Sequence, residues 1–278
     1  MIIHPIAKIN LGLNVVERRP DSYHNLETVF YPVGITDALE VSVMDSTFPS
    51  PFDCDLKITP APLPSDEQQN LVVRAYRLLK QEFPQLPRLH AHLWKGIPSQ
   101  AGMGGGSSDG AAMLLLLNHH FSLGLTTPQL ISRAASLGAD CPFFIVGQPA
   151  YAEGIGEQLQ PVALDLSGYW LCIVRPDIPV STREAFSLIR PHRPATNCRD
   201  IIQQPVDTWR DELVNDFEQS VFAIHPRLAA IKERLYSLGA VYAAMSGSGS
   251  SLFGLFRHPV DAAAHFTAPG TFTACLKL

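Results

Sequence analysis

The sequence predicts an α+β protein. Three observations carry that expectation. Segments that alternate apolar and polar residues, as half-buried strands do, recur along the chain. Helix-spaced apolar segments lie among them without a strict strand–helix–strand alternation, which argues against a purely parallel sheet. Two Gly/Ser-rich loops, residues 98–108 and 245–251, interrupt the regular segments. A chain of 278 residues makes one large domain or two ordinary ones, with a boundary near residues 155–165.

In order along the chain, residues 9–16 and 38–43 read as strands, separated by the polar, turn-rich residues 18–25. Residues 45–55 form a loop, and a Pro-rich stretch at 60–64 leads into the next element. Leu71, Val72, Ala75, Leu78 and Leu79 recur at helical spacing within residues 70–83, and Pro84 and Pro87 end that helix. Residues 89–94 alternate as a strand. After the first Gly-rich loop comes a helix to about residue 118. The next helix covers residues 127–137, with Thr127 as its N-cap and Pro128 in its first turn. Asp140-Cys141-Pro142 opens the apolar residues 143–146, and residues 147–156 make a turn-rich return strand. Residues 170–174, 241–245 and 252–256 are strands, and residues 226–238 a helix.

Composition narrows the class. Apolar residues make up 46% and charged residues 17%, enough to build a packed core. A net charge of −5 without any Lys/Arg-rich run argues against a nucleic-acid groove. The five cysteines, at 54, 141, 172, 198 and 275, show no C-x-x-C spacing and are expected to be reduced thiols of a cytoplasmic protein. The N-terminus has no signal-peptide pattern, and no apolar run reaches the ~18 residues of a membrane span.

The most informative segment is Pro98-Ser99-Gln100-Ala101-Gly102-Met103-Gly104-Gly105-Gly106-Ser107-Ser108, followed by the apolar residues 111–117. Glycine lets the backbone turn through positive φ and lets a ligand approach the main chain. A helix begins with N–H groups that have no internal partner and carry partial positive charge. Together these suit a phosphate, so the loop is a nucleotide-site candidate. It is not a P-loop, because no lysine follows the last glycine. A flexible turn capped by Ser107 or Ser108 is the plain alternative.

Other residues stand out singly. Lys8 lies in an apolar segment beside Asn10, where a lysine needs a partner or an exit to solvent. Asp140 precedes an apolar stretch and is either a cap or a functional acid. Tyr23-His24, in a polar loop, is either a stacking pair for a planar base or ordinary surface. Residues 245–251 are a β-turn or a second ligand loop, and two such loops in one chain suggest one polyanionic ligand.

These pieces, in this order, resemble the GHMP kinase superfamily of small-molecule kinases. Residues 7–13 resemble its first motif, residues 98–108 its ATP-binding motif, and residues 245–251 its third. Residues 18–24, 138–144 and 152–157 add the likeness to the branch that phosphorylates a cytidine-diphosphate-linked methylerythritol in non-mevalonate isoprene biosynthesis. The resemblance implies a two-lobed fold, with an ATP-binding N-terminal domain over residues 1–160, a C-terminal domain over 161–278, and the active site in the cleft between lobes. It implies a small-molecule substrate, ATP and Mg²⁺ as cofactors, and catalysis by Lys8 and Asp140. It places ATP on residues 98–108 and Asn70, and the substrate on Asn10, Tyr23, His24, Lys95, Thr182 and Phe186. The competing readings are a related kinase for homoserine, mevalonate or a sugar, and a non-catalytic nucleotide-binding module.

Overall fold

A computed structural model describes residues 1–60 and 67–278. The expected Pro-rich stretch at 60–64 falls outside the described residues beyond Pro60. In chain order the strands are β1 (Ile2–Ile3), β2 (Ile6–Arg18), β3 (His24–Thr36), β4 (Ala38–Val43), β5 (Cys54–Thr59), β6 (Leu89–Trp94), β7 (Ala150–Glu153), β8 (Gln158–Pro161), β9 (Trp170–Arg175), β10 (Tyr242–Met245), β11 (Leu252–Phe256) and β12 (Phe272–Lys277). The helices are α1 (Leu71–Glu82), α2 (Gly105–His120), α3 (Thr127–Leu137), α4 (Cys141–Val146), α5 (Thr182–Phe186), α6 (Cys198–Ile201), α7 (Trp209–Glu212), α8 (Phe217–Ile224), α9 (Pro226–Ser237) and α10 (Ala262–His265).

The chain forms two compact units that interleave along the sequence. The first comprises Met1–Ala7, Gly34–Ser99 and Gly104–Gly147, and the second Lys8–Val33, Gln100–Met103 and Gln148–Leu278.

In the first unit a sheet runs β1-β4-β6-β5, with β5 parallel to β6 and the other pairs antiparallel. Its strands alternate: Leu39 and Val41 on β4, Leu56 on β5, and Leu89 and Leu93 on β6 point into the core. Helices α1 and α2 cover that face with Val72, Tyr76, Leu79, Met113, Leu114 and Leu117. Asn70 caps α1, its side-chain oxygen accepting from the Val72 N–H at 2.9 Å. Thr126, one residue before the expected Thr127, caps α3. The Gln129 side chain accepts from the Thr126 N–H at 2.9 Å, which closes a capping box that the Thr127 reading overlooked.

In the second unit β10-β11-β9-β12 is fully antiparallel, with α9 packed on β10 and β11. A further sheet runs β2-β3-β7-β8. The core gathers Val15, Val174, Phe217, Leu228, Leu235 and Met245. Strands β3, β5 and β12 were not foreseen as regular elements, although Cys54, Leu56 and Ile58 of β5 alternate strictly with Asp55, Lys57 and Thr59.

The cysteine expectation needs correction. Cys172 and Cys275 face each other across β9 and β12 and form a disulfide. They are 103 residues apart, so only strand register brings them together. Cys54, Cys141 and Cys198 are free and buried.

Candidate active site

Three of the sequence-predicted segments meet in the second unit. Lys8 is 3% exposed and its Nζ donates to Asn10 Oδ1 at 2.6 Å, so its cost of burial is met by a polar partner. Its backbone N–H donates to the Met103 carbonyl at 3.0 Å, tying β2 to the Gly-rich loop. The Asn10 N–H donates to Ser246 Oγ at 3.2 Å, and Ser246 Oγ in turn donates to the Gly102 carbonyl at 2.8 Å. One serine of the second Gly/Ser loop therefore bridges the first motif and the first loop.

Two residues that sequence reasoning missed complete this arrangement. Thr28 accepts from Asn10 Nδ2 at 3.0 Å and donates to the Gly12 carbonyl at 2.5 Å, which orients the Asn10 amide so that its oxygen faces Lys8. Asn215 donates to the carbonyls of Met245 at 2.7 Å and Gly247 at 2.9 Å, pinning the second loop. Thr28 lies within the continuously buried residues 27–30 of its strand and Asn215 precedes α8 like an ordinary turn residue, so neither carries a local signal.

Gly102 shows why the loop needs glycine. Its φ is +70°, and a side chain there would collide with the Ser246 carbonyl oxygen. Around it lies a cavity of about 580 Å³ in the second unit. Gln100 and Gly102 of the first loop, Ser248 and Gly249 of the second, and Thr182 at the start of α5 all line it. The expectation that both loops face one ligand site thus has a physical space to match it.

His24 and Phe186 also come together. Their rings stack with centroids 4.6 Å apart and planes at 21°. Phe186 is held from its other side by an edge contact to Phe217 at 4.7 Å. A capping box between Ser181 and Glu184 fixes α5, which carries both Thr182 and Phe186. Burial, and then the Arg18 cation, lower the His24 pKa, which favours a neutral ring. Tyr23 is 60% exposed and outside this stack.

In the first unit the loop continues into α2. Gly104 occupies the N-cap position with φ +70°, and no atom lies within 4 Å of where a Gly106 side chain would sit. The first-turn N–H groups of this 16-residue helix therefore have room for phosphate oxygens. Ala101, Met103 and Ser108 are buried, so their contribution to such a site is through the backbone. The side-chain oxygen of Asn70 is engaged as a helix cap.

Lys95 sits in a buried cluster at the base of the loop. Its Nζ pairs with Asp37 and, at 2.7 Å, with Asp109. The other oxygen of Asp37 accepts from the N–H groups of Gly96 and Ile97, each at 2.7 Å. Burial pushes the Asp109 carboxyl up to about 8, the Lys95 cation opposes this, and the Asp37 carboxylate adds to it. Lys95 thus joins the loop entrance to α2.

Asp140 stands at the N-cap position of α4, yet its carboxylate makes no capping hydrogen bond. The plain reading of this acid as a helix cap is therefore not what the structure shows. Among the described residues no cluster of three or more His, Cys, Asp or Glu is arranged to hold a metal.

Comparison with known proteins matches this architecture. Residues 70–148 match the N-terminal domain of GHMP kinases and residues 199–267 their C-terminal domain. The chain is 54% identical over 256 residues to the 4-diphosphocytidyl-2-C-methyl-D-erythritol kinase of Bacteroides fragilis, covering 92% of each chain. It is 48% identical over 275 residues to that of Parabacteroides distasonis, covering 99% of this chain and 97% of the relative. The chain belongs to this family of GHMP kinases.

A crystal structure of 4-(cytidine 5'-diphospho)-2C-methyl-D-erythritol kinase superposes with a TM-score of 0.82 at 33% identity, covering all of both chains. A homoserine kinase from Cytophaga hutchinsonii, at 15% identity and a TM-score of 0.68, shares the fold alone. The chain is a small-molecule kinase that uses ATP. Among the described residues no helix is long and apolar enough to cross a membrane.

Proposed function

We propose that the chain transfers the terminal phosphoryl group of ATP to the 2-hydroxyl of 4-diphosphocytidyl-2-C-methyl-D-erythritol. The observation that carries the acceptor is the His24–Phe186 stack, beside relatives named for this substrate. An acceptor without a nucleobase has no use for a histidine ring at a strand start stacked on a phenylalanine of a capped helix.

Asp140 is the general base. It accepts the proton of the acceptor hydroxyl as that oxygen forms its bond to the γ-phosphorus and the bond to the ADP oxygen breaks. Lys8, fixed through Asn10 and Thr28, supplies the cation that favours an ionised aspartate and a developing alkoxide. The backbone of residues 98–108 cradles the ATP phosphates, with Asn70 near the nucleotide through its side-chain amide. Asn10, Tyr23, His24, Lys95, Thr182 and Phe186 position the cytidyl substrate, Lys95 while held by Asp37 and Asp109. Mg²⁺, when bound, neutralises charge on the phosphates, and the donors that hold it are mostly the phosphate oxygens themselves. By sequence, residues 1–160 are the ATP-binding domain of this kinase and residues 161–278 its C-terminal domain, a division that cuts across the two interleaved units.

ADP release from Mg-ATP, measured with the cytidyl substrate and separately with mevalonate and homoserine, tests this reading. Release that depends on the cytidyl substrate is expected. Release with either of the others instead, or ATP binding without turnover on any acceptor, would overturn it.

A further inference from the structure

A second cavity in the same unit lies apart from the loops and shares no lining residue with the one around Gly102. Arg227, Ala230, Ile231 and Arg234 recur at i, i+3, i+4 and i+7 on α9 and so share one face. That face, with His265 and Phe266 from the end of α10 and Val174 from β9, encloses about 340 Å³.

Among the described residues Arg19, Arg88, Arg133, Arg175 and Arg257 have a carboxylate within 4.0 Å and the other arginines do not. Among the described residues Arg227 and Arg234 have none, and no Asp or Glu lines the cavity. Arg234 reaches only Ser237 Oγ and His265 Nδ1, each at 3.3 Å, and neither neutralises it. Two arginines and a histidine therefore line, in a protein of net charge −5, a hollow that no Asp or Glu lines. The remaining wall is apolar, formed by Val174, Ile231 and Phe266.

We propose that this cavity is a binding site for a small phosphate ester with a short hydrocarbon body. The phosphate lies between Arg227 and Arg234 with His265 beside it, and the hydrocarbon lies on Ile231 and Phe266. Guanidinium forks match phosphate oxygens in pairs, and the donors present exceed what a single carboxylate accepts. A phosphate ester near neutral pH carries between one and two negative charges, which answers two unpaired arginines. The apolar wall gives a reason for the ester to outbind inorganic phosphate.

The test is calorimetric titration of n-hexyl phosphate into the full chain with ADP in saturating excess, which keeps the nucleotide site filled. One-site binding is expected, weakened about tenfold by either Arg227→Gln or Arg234→Gln. Ala230→Glu, at an exposed helical position, puts a carboxylate between the arginines and should abolish binding without removing either one. It also decides the matter if the arginine variants fold poorly. Hexanol should give no binding, and hexanoate and inorganic phosphate weaker binding than the ester. No binding in the presence of ADP would overturn the proposal, as would binding indifferent to Ala230→Glu. Equal affinity for hexanoate would overturn the assignment to phosphate.

Discussion

His24 lies flat against Phe186, with ring centroids 4.6 Å apart. A cytosine entering between them must part the rings by a further stacking distance and gains a face on each side. Phe186→Ala removes one face. We expect KM for the cytidyl substrate to rise about tenfold, from the loss of about 1 kcal/mol or more of aromatic packing, with KM for ATP unchanged. Steady-state kinetics with each substrate varied in turn checks this, and equal effects on both would count against a cytosine site.

The His24 ring also sets a pH dependence. Burial and Arg18 hold its pKa below 6.5, so as pH falls the unfolded chain takes up this proton before the folded one does. Its contribution to stability is present above 6.5 and drains away as pH falls through the lower folded value. Protonation charges the ring, so KM for the cytidyl substrate should rise on that acidic limb. His24→Phe keeps a stacking face that does not titrate, and should flatten the limb.

Asp140 stands at a helix start without capping it. Asp140→Asn should lower kcat by about 10² to 10⁴-fold, the range of a lost general base, and leave ATP affinity nearly unchanged. Single-turnover ADP formation beside equilibrium ATP binding separates the two effects. Unchanged turnover would remove Asp140 from the mechanism.

Gly102→Ala forces a side chain into the Ser246 carbonyl at a positive φ. The cost is about 1–3 kcal/mol of strain, relieved only if the two Gly/Ser loops separate. Thermal denaturation should show a lowered Tm, and ATP affinity should fall with it. A variant of wild-type Tm and affinity would show that the loops are not held together as described.

The Asp109 carboxyl, pushed up to about 8 by burial, keeps a proton that the unfolded chain releases near its ordinary 3.8. Its contribution to stability is complete below the ordinary value and is lost as pH rises toward about 8. Asp109→Asn cannot titrate, so its Tm relative to wild type should rise steadily between about pH 5 and about pH 8. A constant difference across that range would show that Asp109 is ionised throughout.

Much of this protein was legible in one dimension. Strands at residues 38–43, 89–94 and 252–256 and the helices near residues 71–82, 105–120 and 127–137 follow from local periodicity and breakers, because a strand or helix shows its buried face at a fixed spacing. The first Gly-rich loop, Lys8, Asp140 and the pair of Gly/Ser loops were visible because their chemistry is unusual for their surroundings. Strand β3 was hidden, since its alternation begins inside a polar turn and its early residues His24 and Asn25 are only half-buried.

The tertiary structure decided which residue answers which. Asn215 is 30 residues from the loop it pins, and Thr28 is 18 from the Asn10 amide it orients. Asp37 is 58 residues from Lys95, and Cys172 is 103 from Cys275. Spacing within a segment says nothing about such pairs, because strand order and helix packing set them. The sequence by itself determined part of the regular elements, the phosphate-type loop and the acid and lysine candidates, all of which depend on neighbours within a few residues. Only the folded chain determined that Ser246 joins first motif to loop, that His24 meets Phe186, and that two arginines of one helix face are left without an acid.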